Sequence, residues 1–150
     1  MRRAIELSAE NVRSGNGGPF GAVVVHEGRI AGEGVNSVTT ANDPTAHAEI
    51  AAIRAACRSL GRFHLEDCQI YASCEPCPMC LGAIYWAHVN SVFFANTKTD
   101  AASIGFDDSY IYQQLKQPIE GRSVPMLQML REEALRVFEE WRRKPDKVEY

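Results

Sequence analysis

His47-Ala48-Glu49 and, further along, Pro76-Cys77-Pro78-Met79-Cys80 are the residues of this chain best suited to do chemistry. One imidazole and two thiols suit a zinc ion, and three protein ligands leave a fourth tetrahedral position open, as in catalytic sites. Glu49, two residues from the imidazole, is a carboxylate able to manage protons at that position. Cys77 and Cys80 are three apart and fall on one helical face. In a first helical turn, free amide groups and the helix dipole favour anionic sulfur. One geometric difficulty arises: residues two apart on an ideal helix point about 200° apart. His47 and Glu49 therefore share a metal only through a distorted first turn or long side chains. Cys74 opens a second reading, because Cys74, Cys77, Cys80 and His47 would make a closed Cys₃His structural site. Glu75-Pro76 redirects the chain after Cys74, so Cys74 is expected to point elsewhere.

These residues need elements to hold them. Residues 4–13, with Ile5, Leu7, Ala9 and Val12, predict a short amphipathic helix, broken by Gly15-Asn16-Gly17-Gly18-Pro19. Ala22-Val23-Val24-Val25 predicts a buried strand, and Glu27-Gly28 a hairpin turn into a second strand, 29–36. Asp43 and Pro44 predict a helix start, as cap and first residue, with the helix running to Leu60 and Gly61 as its stop. A third strand is expected over 69–73, a helix from Cys77-Pro78 to about Ala87 and a fourth strand over 91–95. Strand–helix–strand–helix–strand order predicts a mostly parallel sheet with right-handed crossovers, extended by the N-terminal hairpin. Successive helix N-termini then lie side by side at the carboxyl edge of the sheet, which brings His47 to Cys77 and Cys80. Beyond residue 100 the pattern predicts a short helix over 108–116, a proline-bearing hinge over 117–125, a fifth strand over 126–130 and a helix over 131–143 carrying Leu135, Phe138 and Trp141.

The chain of 150 residues fits a single domain, 1–150. Its net charge of −3 provides no general basic field for a long nucleic acid. No apolar run reaches the ~20 residues of a membrane span, and no secretory leader pattern is seen. Five cysteines, an odd number with three of them clustered, favour a reducing cytoplasm and metal ligation over disulfides.

The stretch Asp43-Pro44-Thr45-Ala46-His47-Ala48-Glu49-Ile50, with Ser73-Cys74-Glu75-Pro76-Cys77-Pro78-Met79-Cys80-Leu81-Gly82-Ala83-Ile84, resembles the cytidine deaminase superfamily, whose signature is H-x-E followed by P-C-x-x-C. The likeness runs from the first helix through Ala95 and is closest to the branch of guanine deaminases and tRNA adenosine deaminases. Residues 99–112, with Phe106-Asp107-Asp108, and the ending Glu149-Tyr150 resemble the guanine deaminases within that branch. The resemblance implies a three-layer α/β/α fold with a mixed five-stranded sheet. It implies one zinc ion per chain on His47, Cys77 and Cys80, with Glu49 as proton carrier. It also implies hydrolysis of guanine to xanthine and ammonia, and a homodimer in which C-terminal segments can be exchanged.

Substrate contacts are less sharply written. Phe20 stacks on a purine or serves as a core aromatic. Asn36 ends a strand, and the resemblance makes it a base contact, together with Ala48. Asp107 and Asp108 cap the helix at Ser109, or else Asp108 faces the pocket and accepts from guanine N1–H and its 2-amino group, a catalytic placement beside Glu49. Tyr150, at the end of a polar tail, is expected to close the pocket as a lid. Two other functions remain open: a tRNA adenosine deaminase, which needs a basic surface, and a non-catalytic zinc-binding module.

Overall fold

Glycines set how closely the helices of this protein approach its sheet. In the computed structural model, which describes residues 1–149, a Cβ on Gly32 would stand 2.4 Å from Ala56 N, and one on Gly34 would stand 2.2 Å from Ala48 O. Strand β2 (Arg29–Val35) therefore takes helix α3 (Ala48–Leu60) directly onto its backbone. Helix α1 (Arg2–Ser14) packs on the other face, where a Cβ on Gly21 would stand 2.4 Å from Ala4 O. Ala22 and Val24 of β1 (Gly21–His26) join Ala48, Ala52, Ile53 and Ala56 of α3 in the core, with Leu65, Ile70, Ala72 and Ile84. The result is three layers, helix on sheet on helix.

The sheet has four strands in the order β2-β1-β3-β4, where β3 is Cys68–Cys74 and β4 is Ser91–Asn96. Strand β1 is antiparallel to both β2 and β3, and β3 is parallel to β4. The expected parallel run is interrupted, because the hairpin inserts its first strand between β2 and β3 instead of extending the edge. The reason is burial. Ala22, Val23 and Val24 are 0%, 2% and 0% exposed, so β1 is apolar on both faces and belongs in the centre. Strand β2 carries Arg29 and Glu33 and takes the edge. Glu27 and Gly28 turn the hairpin with positive φ at both positions (48° and 74°), which matches the right-handed strand twist.

The chain divides into two compact units, Met1–Asp108 and Ser109–Tyr150. The first also holds the short helix α2 (Val38–Ala41), helix α4 (Pro78–Trp86) and helix α5 (Lys98–Ser103). Helix α5 is closed at its start by a capping box between Thr97 and Asp100. The second holds α6 (Ser109–Lys116), a 3₁₀ turn at Ile119–Gly121 and α7 (Arg131–Arg143). The fifth strand expected over 126–130 does not form; that stretch has no regular structure and ends at Leu130 with φ 51°. No described residue of the second unit is buried, and Leu135, Phe138 and Trp141 are exposed. Among the described residues no helix is long and apolar enough to cross a membrane.

Candidate metal centre and active site

Two helices begin beside one another at the ends of β2 and β3, and their N-cap residues carry two of the three ligands. His47 caps α3 with extended backbone (φ −78°, ψ 156°), and Cys77 caps α4 in the same way (φ −66°, ψ 169°). Helix α3 thus starts four residues later than Asp43-Pro44 suggested. The Asp43 carboxylate does its capping within a tight turn, accepting from Thr45 N at 2.8 Å and Thr45 Oγ1 at 2.7 Å. This shift removes the orientation problem of the His-x-Glu spacing. His47 lies outside the helix, so the 100° per-residue rotation does not apply to it. Its ring and the Glu49 side chain reach the same place.

His47 Nδ1 lies 3.5 Å from Cys77 Sγ and 3.5 Å from Cys80 Sγ. The three ligand atoms all lie within 4.8 Å of one another. Glu49 is 8% exposed, and its Oε2 lies 3.4 Å from Cys80 Sγ. So packed, the groups compete for protons. The Cys77 thiol is held down to about 4 by hydrogen bonding with Cys80 and His47, against the effect of burial. The Cys80 thiol is pushed up by the same sulfur–sulfur contact, by burial and by Glu49. His47 is raised by its hydrogen bond to Cys77. The Glu49 carboxyl is raised chiefly by burial. A crowded imidazole–dithiol set of this kind fits zinc, whose charge favours thiolate at both sulfurs and neutral imidazole.

Cys74 stands apart, as expected. It is 6% exposed, its Sγ meets Thr97 O at 3.6 Å, and burial followed by the Glu49 charge raises its thiol to about 11. A neutral thiol aimed at a carbonyl is no fourth ligand, and the closed Cys₃His arrangement falls away.

Around the metal set, Phe20 packs on the core and meets Phe106 edge to face, ring centroids 4.9 Å apart. Asn36 is 7% exposed, with Oδ1 3.4 Å from both Gly18 N and Val38 N. The side chain of Ala48 is 1% exposed and belongs to the core. Asp108 is half-buried, and its carboxyl is raised by burial and then by the Cys77 charge, so it lies within electrostatic reach of the metal set. Tyr150 lies outside the described residues. Sequence reasoning missed Asn11, at 3% exposure the most buried of the polar residues among those described. Its signal was its spacing: residues 4, 7 and 11 are the buried face of α1, whereas Ile5 and Val12 are exposed.

Residues 1–96 match the family of cytidine and deoxycytidylate deaminase zinc-binding regions. The chain is 55% identical over 150 residues to the guanine deaminase of Bacillus subtilis (strain 168), covering 100% of this chain and 96% of that relative. An X-ray structure of guanine deaminase from Bacillus subtilis matches with a TM-score of 0.96 at 56% identity, covering 99% of this chain and 95% of that one. The tRNA-specific adenosine deaminase of Aquifex aeolicus (strain VF5) is 46% identical over 77 residues, 51% of each chain. With His47, Cys77 and Cys80 gathered around one point and Glu49 against them, the chain belongs to the cytidine and deoxycytidylate deaminase zinc-binding family.

Proposed function

We propose that the protein hydrolyses guanine to xanthine and ammonia at the His47–Cys77–Cys80 centre. One observation carries the chemistry: a buried carboxyl, Glu49, set 3.4 Å from the Cys80 sulfur of a three-ligand metal set. Zinc bound there supplies a Lewis acid that brings the pKa of a water to ~7. Glu49 would take one proton of the attacking water and pass it to the ring nitrogen beside C2. With the carbon–oxygen bond formed, Glu49 would carry the second proton to the 2-amino group, and the carbon–nitrogen bond would then break to leave the C2 carbonyl and neutral ammonia. Burial raises the Glu49 carboxyl, which favours a group that must hold a proton as well as release it. Asp108, an acceptor-only group, suits the N1–H and 2-amino donors of guanine. Asn36 offers amide hydrogens to an acceptor on the base edge. Phe20 supplies a ring for stacking. A contact from Ala48 comes through its amide, which as a first-turn N–H has no partner within the helix.

The full-length match to a guanine deaminase favours this substrate over a tRNA. The −3 net charge agrees. Ammonia release with guanine, adenine, cytosine, cytidine and a tRNA stem-loop in parallel tests the assignment. Guanine turnover far above the others is expected, and a preference for the stem-loop overturns it. The cysteines are all free, which suits the reducing cytoplasm we assign.

The working form is proposed to be a homodimer that exchanges its C-terminal units. Two separate surfaces support this. The second unit buries no described residue of its own, and in the first unit Phe93 and Phe94 of β4, on opposite faces of the sheet, are 43% and 46% exposed. Exchange of a terminal element gives each surface a partner at low cost. Tyr150 is proposed as the end of a lid over the pocket. Deleting residues 145–150 should leave zinc in place and lower guanine turnover roughly tenfold or more, since a lid excludes water from the reaction. Full activity of that truncation removes the lid, and a monomer in sedimentation removes the exchange.

A further inference from the structure

We infer that Asn11 is a positioning residue for base recognition, a clamp that fixes Asn36 and the glycine loop against each other. The inference rests on the guanine reading above. Asn11 lies in the last turn of α1, where a polar side chain would ordinarily face water, yet it is 3% exposed. Its Nδ2 donates to Gly18 O at 2.8 Å and to Asn36 O at 2.8 Å. Both amide hydrogens are therefore spent on backbone carbonyls from two different segments. Gly18 lies in the loop that leads into Phe20, and Asn36 is where the chain leaves β2. Gly18 O also accepts from Phe20 N at 2.8 Å, and Asn36 N donates to Phe20 O at 3.1 Å.

The clamp has a consequence for the side chain that meets the base. With Gly18 held, its N–H lies 3.4 Å from Asn36 Oδ1, and Val38 N lies 3.4 Å from the same atom. The oxygen end of the Asn36 amide is thus occupied from two sides, and the end presented outward carries donor hydrogens. Nothing bulkier fits the join: a Cβ on Gly17 would stand 2.1 Å from Asn36 O and 3.2 Å from Asn11 Nδ2. Asn11 touches no reacting atom. It acts through the Asn36 side chain, so its effect belongs to substrate binding.

The test is a double-mutant cycle on the zinc-loaded protein. Asn11→Leu keeps the shape and removes the donors, leaving Asn36 O without its partner and Gly18 O with Phe20 N alone. KM for guanine is expected to rise about tenfold, with kcat within about threefold and zinc still 1:1. In an Asn36→Ala background the same change should move KM less than about twofold, because the side chain through which it acts is gone. An unchanged KM in Asn11→Leu overturns the inference. So does the full factor persisting in the Asn36→Ala background, or a parallel fall of kcat and zinc content. Should Asn11→Leu not fold, Asn11→Ser, which keeps one donor, is read in its place, with an intermediate KM expected and a wild-type KM overturning the idea. Wild-type protein that releases no ammonia from guanine defeats the substrate reading, whereas wild-type turnover with an indifferent Asn11 defeats this one.

Discussion

The Sγ atom of Cys80 lies 3.4 Å from Oε2 of Glu49. A metal ligand and the proposed proton carrier are in contact, although they stand 31 positions apart in the chain with a strand between them. The contact exists because α3 and α4 both start at this edge of the sheet, and because His47 ends in extended backbone before α3 begins.

Glu49→Gln is nearly isosteric and keeps the hydrogen-bonding reach of the side chain. Zinc content and fold should persist, while turnover falls by ~10²–10⁴, the usual contribution of a positioned proton carrier. Activity above a tenth of wild type, with metal measured in the same sample, removes Glu49 from that role.

Cys80→Ser and Cys74→Ser should part company. The first removes a ligand and should cost most of the zinc. The second removes a thiol that faces Thr97 O and is held neutral, at about 11, by burial, so zinc should remain close to one per chain. Equal loss in both variants, by elemental analysis, would restore a four-ligand site.

Gly34→Ala places a Cβ 2.2 Å from Ala48 O and 2.5 Å from Ala52 N. The first turn of α3 must move off β2, taking His47 and Glu49 with it. We expect a stability loss of about 1–3 kcal/mol, as for other overpacked positions, accompanied by weaker zinc retention under a chelator. An unchanged chelator midpoint would show that the ligands do not depend on this approach.

Asp108→Asn replaces an acceptor-only group with one that donates as well. Guanine turnover should fall by at least tenfold, of the order expected when one buried hydrogen bond to substrate is lost. Zinc should be unaffected. Equal guanine turnover in the variant removes Asp108 from substrate handling.

The metal ligands were legible in the sequence because ligand identity and spacing are local properties. The strand and helix cores were legible for the same reason. What escaped depended on distant packing. Asp43 and Pro44 have the chemistry of a helix start, yet the carboxylate is taken by Thr45 one turn too early. Ala22-Val23-Val24-Val25 marked a buried strand, but the hairpin was read as an extension of the sheet, since nothing local says which strand of a pair is inserted. Asn11 was not singled out, because its two carbonyl partners lie on segments that meet it only in the folded chain. Residues 126–130 are apolar enough for a strand, but no sheet edge receives them among the described residues.

The two N-cap ligands also decide where this protein can change length. One residue inserted between His47 and Glu49 would swing the carboxylate by about 100° around α3, and one inserted between Cys77 and Cys80 would do the same to a sulfur. The join at Gly61 and Arg62 is different. Gly61 ends α3 with φ 65°, both residues are exposed, and the next buried residue is Leu65. Extra residues there would lengthen a surface turn without rotating either half of the site. Insertions and deletions should therefore accumulate between the two halves of the metal motif and be barred from within each half.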